Sequence, residues 1–496
     1  MNRPLALTLV TLVGALAVAV GPGWAAAGEA GSAAGQDIAG TWLGGLDASG
    51  VEIRVVFNIT RQPDGTLTAT MDSPDQGAKD IPTSKVTFAD GSLRVEADVI
   101  GGLYEGKMAE DGAKMEGEWR QSGMSLPLTL SRVEKMPEPN RPQEPKQPYP
   151  YREEEVAYEN SQAGVKLAAT LTYPESGGPF PAVVLITGSG PQDRNEFTFG
   201  HRPFLVLSDY LTRRGIAVLR ADDRGVGGST GDWSQATAED FAQDALAGVV
   251  YLKTRKEVDP ARIGLIGHSE GGEVAPLAAS QSPDVAFIVL MAGTGLTGEE
   301  IIYLQQERIL KAQGASDETI ALSRAESEAI FSAVKQEPDA AAAEKRIRET
   351  MAQLRAGYTE EERKALGLSG LSEAAAEARL EMELKQVQSP WFRYFLTYDP
   401  KPALMEVKCP VLAIGGEKDL QVPPKENLAA IEEALKAGGH TRYTIKELPG
   451  LNHLFQTAAT GSPSEYMKTE ETISPSALAV IGDWVLEQMG ERAGRG

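Results

Sequence analysis

Gly267-His268-Ser269-Glu270-Gly271 sets a serine between two glycines, the spacing of a nucleophile raised out of a tight turn. A serine hydroxyl is a weak nucleophile at neutral pH. It needs an imidazole to take its proton and a carboxylate to hold that imidazole in the right tautomer. Downstream of such an elbow the carboxylate comes first in the chain and the histidine second. Asp419, in Gly415-Gly416-Glu417-Lys418-Asp419, and His453, in Pro449-Gly450-Leu451-Asn452-His453, keep that order. Glu417 is the competing carboxylate of the same loop. The chemistry implied is acyl transfer, in which Ser269 attacks a carbonyl, His453 takes its proton and Asp419 orients the imidazole and stabilises it when charged.

The oxyanion of such a reaction needs backbone N–H donors. One is expected from Glu270, directly after the nucleophile. A second is expected from Thr187-Gly188-Ser189-Gly190-Pro191-Gln192-Asp193-Arg194-Asn195-Glu196, with Ser189 as the donor, Gly190 as the alternative, and Gly188 and Gly190 permitting close approach. Asp193 and Arg194, and Asp222-Asp223-Arg224-Gly225 further on, put charge near the same edge. They read as ion pairs that pin loops, ahead of direct substrate contacts. The remaining histidines have structural readings: His268 flanks the nucleophile, His201 precedes a helix and His440 sits in a Gly-Gly-His turn. Cys409, before Pro410 and a strand, reads as a buried apolar filler.

These residues need a scaffold that brings strand ends together. Short, nearly continuous apolar runs occur at 182–186, 216–220, 263–266, 286–291 and 411–414, with helical patterns at about 202–213, 237–255 and 271–281 between them. Strands buried on both faces and alternating with helices mean a mostly parallel sheet with helices on both faces. The serine motif directly follows 263–266 and opens a helix, the strand–turn–helix context that an elbow requires. The interval 298–388 is rich in Ala, Glu, Lys, Arg and Leu without a strand-like run, and reads as a helical insertion. The core is thus expected in two parts, 153–297 and 389–490.

The remainder of the chain is organised differently. Residues 37–134 carry alternating segments at 52–59, 66–71 and 125–130, with turn signals at 63–65, 90–91, 111–112 and 122–123. This predicts an all-β accessory domain, an antiparallel sandwich or closed barrel of about seven or eight strands. Six prolines at 137, 139, 142, 145, 148 and 150 mark 135–152 as an extended, semi-rigid linker. Residues 1–27 begin with Arg3, run apolar from 5 to 20, break at Gly21-Pro22-Gly23 and reach Ala25-Ala26-Ala27. That order predicts a cleavable export signal and a secreted or periplasmic mature chain. The apolar run is shorter than the roughly 20 residues that cross a bilayer, so no membrane span is expected in the mature chain.

Composition narrows the field. Of 496 residues, 48 are Lys or Arg and 70 Asp or Glu, a net charge of −22 that disfavours nucleic-acid partners. A single Cys excludes an intrachain disulfide and a Cys-based metal centre, and four His leave little room for a His cluster. No metal or organic cofactor is expected, and the natural partner is a small-molecule ester or short peptide.

Residues 153–490 resemble a bacterial α/β-hydrolase of the serine aminopeptidase-like group, which includes secreted esterases and acylaminoacyl-peptidase-like proteins. The resemblance rests on 187–195, on Asp222-Asp223-Arg224-Gly225-Val226-Gly227-Gly228-Ser229, on 267–272, on 416–424 and on Leu451-Asn452-His453. It implies a Ser269–Asp419–His453 triad and a helical cap at about 298–388. Many relatives carry His before the glycine of the oxyanion loop, where this chain has Thr187. A carboxylesterase is the expected activity. Serine aminopeptidase or acylaminoacyl-peptidase, thioester or dienelactone hydrolysis, and an inert scaffold that serves the β domain are the competing readings.

Overall fold

The computed structural model describes residues 37–47, 52–74, 78–121, 124–134, 140–369 and 373–490; the segment 1–27, where an export signal is expected, lies outside them. Two compact units divide the chain. One comprises the residues up to Pro139 with Met351–Gln386, the other Asn140–Thr350 with the residues from Val387 onward.

In the first unit nine strands form one antiparallel sheet: β1 (Gly40–Asp47), β2 (Glu52–Arg61), β3 (Leu67–Ser73), β4 (Ala78–Pro82), β5 (Lys85–Ala89), β6 (Ser92–Ala97), β7 (Gly102–Met108), β8 (Lys114–Gln121) and β9 (Met124–Val133). Their order is β4-β3-β2-β1-β9-β8-β7-β6-β5. The expected all-β domain is present as an antiparallel half-barrel sheet. Among the described residues β4 pairs with β3 and β5 with β6, and no ladder joins β4 to β5. Alternate side chains fill its concave face, with Trp42, Phe57, Tyr104, Met115 and Trp119 buried together. The indole N–H of Trp42 donates to the carbonyl of Ile38 at 2.9 Å, which satisfies its polar end inside that core.

The second unit is built on an eight-stranded sheet of β10 (Tyr151–Asn160), β11 (Val165–Pro174), β12 (Phe180–Ile186), β13 (Ala217–Ala221), β14 (Val258–His268), β15 (Ile288–Met291), β16 (Val411–Gly416) and β17 (Tyr443–Leu448). The order is β10-β11-β13-β12-β14-β15-β16-β17, antiparallel through β10, β11 and β13 and parallel from there on. The central strands are buried on both faces, and successive side chains enter opposite cores. Val184, Leu219, Leu265, Leu290 and Ala413 face helices α2 (Ala238–Lys253), α3 (Glu270–Gln281) and α11 (Pro424–Ala437). Val183, Val218, Ile266, Val289 and Leu412 face α1 (Pro203–Arg213) and α12 (Pro475–Gln488). A β-branched strand with no polar face can be covered only in this way, which gives the α/β-hydrolase fold with its two cores. The opening hairpin β10–β11 was not legible in the apolar pattern, because β10 is rich in exposed glutamates at the edge of the sheet.

From Gly298 to Val387 the described residues are helix and turn, including α4 (Gly298–Ala312), α5 (Asp317–Gln336), α6 (Ala340–Ala356), α7 (Glu360–Ala365) and α8 (Glu373–Val387), followed by α9 (Pro390–Thr397). Thr297 and Glu300 form a capping box that starts α4. The proline-rich stretch is less free than its composition predicts. From residue 140 it is bound to the second unit, where the Arg141 guanidinium donates to the carbonyls of Phe199, Gly200, Met467 and Thr469. Gln143 bridges the backbone of Thr472 and Ile473.

Candidate active site

β14 ends at His268, and the chain turns at Ser269 before α3 begins at Glu270. Ser269 has φ 53° and ψ −117°, a left-handed conformation that costs about 1–3 kcal/mol for a residue with a side chain. Two backbone bonds hold it there. Its N–H donates to the carbonyl of Met291, and its own carbonyl accepts from Gly272, at 2.8 and 2.9 Å. The strain falls on the serine, while the flanking glycines serve a steric purpose. A Cβ at Gly267 would lie 1.8 Å from the carbonyl oxygen of Gly271, and one at Gly271 would lie 2.2 Å from that of Ile186. The elbow is wedged against the end of β12, and Ser269 stays partly accessible to solvent.

Asp419 and His453 meet. The loop after β16 places the Asp419 carboxylate so that Oδ2 lies 2.8 Å from His453 Nδ1, while Oδ1 accepts the N–H groups of Gln421 and Val422, both at 2.8 Å. Asp419 is 3% and His453 5% exposed, so their bond lies in a low dielectric. Glu417, in contrast, is exposed and accepts from the N–H of Gly450 across the turn. His453 lies beside the elbow, its ring centroid 4.9 Å from that of His268. Among the described residues Ser269 and His453 are not joined by a hydrogen bond.

The loop 187–196 lies against Ser269, and a Cβ on Gly188 would approach Cβ of Ser269 to 3.3 Å. The N–H of Gly188 is engaged by Glu196 Oε1 at 2.8 Å. Ser189, Gly190 (φ 92°) and Glu270 remain the candidate oxyanion donors of this corner. Thr187, the departure from the relatives, donates through its hydroxyl to Asp223 Oδ1 at 2.7 Å. Asp223 Oδ2 accepts from Gln192 N, and burial raises its carboxyl well above the ordinary range.

Asp193 and Arg194 are engaged by their own loop and its neighbours. Asp193 Oδ1 accepts the N–H groups of Asn195 and Phe197, and Arg194 makes paired bonds to Asp222 as well as bonds to Glu155 and Thr170. Arg224 is likewise tied to Asp240 and Asp244. His201 and His440 are bound to carbonyls of Tyr466 and Cys409. Cys409 packs against the sheet core, and burial pushes its thiol up to about 11.

Glu270 is expected here as a backbone donor, but the side-chain roles of Glu270, Glu273 and Glu196 escaped the reading of the sequence. Glu270 has a buried carboxyl that accepts the indole N–H of Trp391, on α9, at 2.6 Å. Burial, reinforced by the nearby charge of Glu273, pushes Glu270 up to about 8, and burial pushes Glu273 up to about 7. A small open cavity of about 50 Å³ adjoins, lined by Thr187, Gly188, Asp223, Trp233, Phe241 and Glu270 among others. Glu196 is the third. No periodicity marks an acid on a loop, and only its place after a Gly-rich turn hinted at a role. Among the described residues no group of His, Cys, Asp and Glu is arranged to hold a metal ion.

Comparison with known proteins adds the following. The family model described as X-Pro dipeptidyl-peptidase (S15 family) matches residues 163–447, more than half of the chain. The chain is similar to esterase EstD of Thermotoga maritima, 36% identical over 116 residues, which cover 23% of this chain and 28% of that protein. An uncharacterized Mycobacterium tuberculosis protein is 34% identical over 137 residues, 27% of this chain and 44% of that one. The chain thus spans less than half the length of these relatives. Among solved structures a Pyrococcus furiosus esterase aligns with a TM-score of 0.41 at 16% identity, covering 72% of this chain and 98% of that one.

Proposed function

The chain belongs to the X-Pro dipeptidyl-peptidase (S15) family, serine hydrolases of the α/β-hydrolase superfamily, and on that ground we propose that it cleaves carboxylic esters through a Ser269–His453–Asp419 triad. The observation that carries this reading is the buried Asp419–His453 hydrogen bond beside a serine held at positive φ. Ser269 attacks the ester carbonyl as His453 Nε2 takes its proton. Asp419 keeps the imidazole proton on Nδ1 and balances the imidazolium. The oxyanion is met by the N–H of Glu270 and of Ser189 or Gly190. His453 returns its proton to the departing alcohol, and water, deprotonated by the same imidazole, releases the acid. Alcohols leave more easily than amines, which favours esters where no group dedicated to an amine leaving group is evident.

Replacing Ser269 by Ala should lower turnover of p-nitrophenyl acetate by on the order of 10⁶. Retention of that activity would remove Ser269 from the mechanism. A second reading, cleavage of amino-terminal peptides, is favoured by the family description and by Glu270, an acid at the cavity that an ammonium group could draw into ionisation. Matched p-nitrophenyl esters and aminoacyl p-nitroanilides separate the two, since faster turnover of the anilides supports the peptidase. Export is part of the proposal; a mature N-terminus near residue 28 in secreted material is the expected result of N-terminal sequencing.

A further inference from the structure

We propose that Glu196 and His268 form a buried positioning pair that holds the oxyanion loop and the loop of the general base to the nucleophile strand. Glu196 is 3% and His268 5% exposed. Glu196 Oε1 lies 2.9 Å from His268 Nδ1 and accepts the N–H of Gly188, the turn from which the second oxyanion donor is drawn. On the other side of the ring, His268 Nε2 lies 3.0 Å from the carbonyl oxygen of His453. One imidazole thus touches all three parts of the machinery: the loop after β12, the end of β14, and the backbone of the base.

The chemistry of the partners defines the state of the ring. A carbonyl can only accept, so Nε2 carries a proton. A carboxylate that already accepts from Gly188 asks for a second proton on Nδ1. A neutral imidazole has one N–H and cannot serve both contacts, whereas an imidazolium facing a carboxylate does. Burial is the largest single influence and pushes His268 down, but the Glu196 charge and hydrogen bond, the His453 carbonyl and the Asp419 charge together hold the group above its ordinary value. Glu196 Oε2 is buried and makes no hydrogen bond among the described residues. Glu196 is itself held at φ 53°, its N–H bonded to the carbonyl of Asp193, so the loop is shaped to deliver this side chain inward. A loop that holds a non-glycine residue in that conformation invests strain where geometry matters.

The inference rests on the reading of Ser269 and His453 given above. The test is Glu196→Gln, which keeps an amide oxygen for Gly188 and removes the charge that supports the second ring proton. His268→Gln is its partner. Active sites are counted with a fluorophosphonate, and kcat and KM for p-nitrophenyl acetate are measured per titrated site. Both variants should be labelled and should show kcat lowered on the order of 10- to 100-fold with KM within about threefold, because misplacement of reacting groups acts on the transition state. A kcat per titrated site within twofold of wild type in either variant that folds, or a rise in KM alone, overturns the pair as a positioning device. If neither variant yields soluble protein, the pair is a folding element and the proposal fails. Absence of fluorophosphonate labelling in the wild type would instead defeat the triad, a distinct outcome.

Discussion

Asp419→Asn is the sharpest probe of the triad, because the structure dictates how the new side chain must sit. Oδ1 of Asp419 accepts two backbone N–H groups, those of Gln421 and Val422. An asparagine must leave its oxygen there, since the flipped amide would set NH₂ against two donors. Its NH₂ then faces His453 Nδ1, which can only become an acceptor. The imidazole proton is forced onto Nε2, the atom that has to receive the proton of Ser269. The base is lost while the loop keeps both backbone bonds. Turnover should fall by about 10⁴, or about 5.5 kcal/mol of transition-state stabilisation, the scale expected when the tautomer is wrong and the geometry intact. Thermal unfolding should move little in comparison. The assay is kcat/KM for p-nitrophenyl acetate together with a melting curve. A variant that retains a tenth or more of wild-type activity would show that Asp419 does not set the tautomer, and comparable loss in Glu417→Gln would transfer that role to Glu417.

Three further outcomes follow from the same structure. Gly271→Ala would put a Cβ 2.2 Å from the carbonyl oxygen of Ile186, a backbone atom with nowhere to go; a loss of about 3 kcal/mol or outright failure to fold is expected in denaturant melts. Glu270, with its carboxyl pushed up to about 8, binds a proton more tightly folded than unfolded. Its stabilisation is therefore complete below about pH 4.5 and lost as pH rises through about 8. Glu270→Gln should flatten that decline in melting temperature between pH 5 and 8 relative to wild type, and parallel curves would show that the group is not perturbed. In Trp391→Phe the carboxyl of Glu270 loses its indole donor, a bond that favours the ionised form, so the window in which stability declines should shift upward in pH.

How much of this was legible in the residues depends on the range of the forces involved. The elbow, the strand ahead of it and the apolar runs of the parallel sheet are local patterns, since a strand buried on both faces must be apolar throughout. Asp419 and His453 were legible as positions after strands, but their meeting is a tertiary fact. The side-chain contacts of Glu196, Glu270 and Trp391 had no local signal. Each is defined by what it faces, an imidazole, an indole or a carboxyl brought from more than 70 residues away. His268 shows the limit best: a bland reading followed from its neighbours in sequence, while its partners, at positions 196 and 453, lie on two other loops. Whether the β domain closes was not legible for a similar reason. Alternation specifies a buried face but not whether the last strand finds the first.

Cys409 carries a practical consequence. With its thiol packed under the sheet and raised to about 11, the chain offers an almost silent background to maleimides and disulfide reagents at neutral pH. Ser269→Cys would place a thiol where main-chain contacts alone fix the turn, and that sulfur would be the one such reagents reach first. A single substitution thus converts the enzyme into a protein with an addressable handle at its reaction centre, on which fluorophores or spin probes can report how the surrounding helices move.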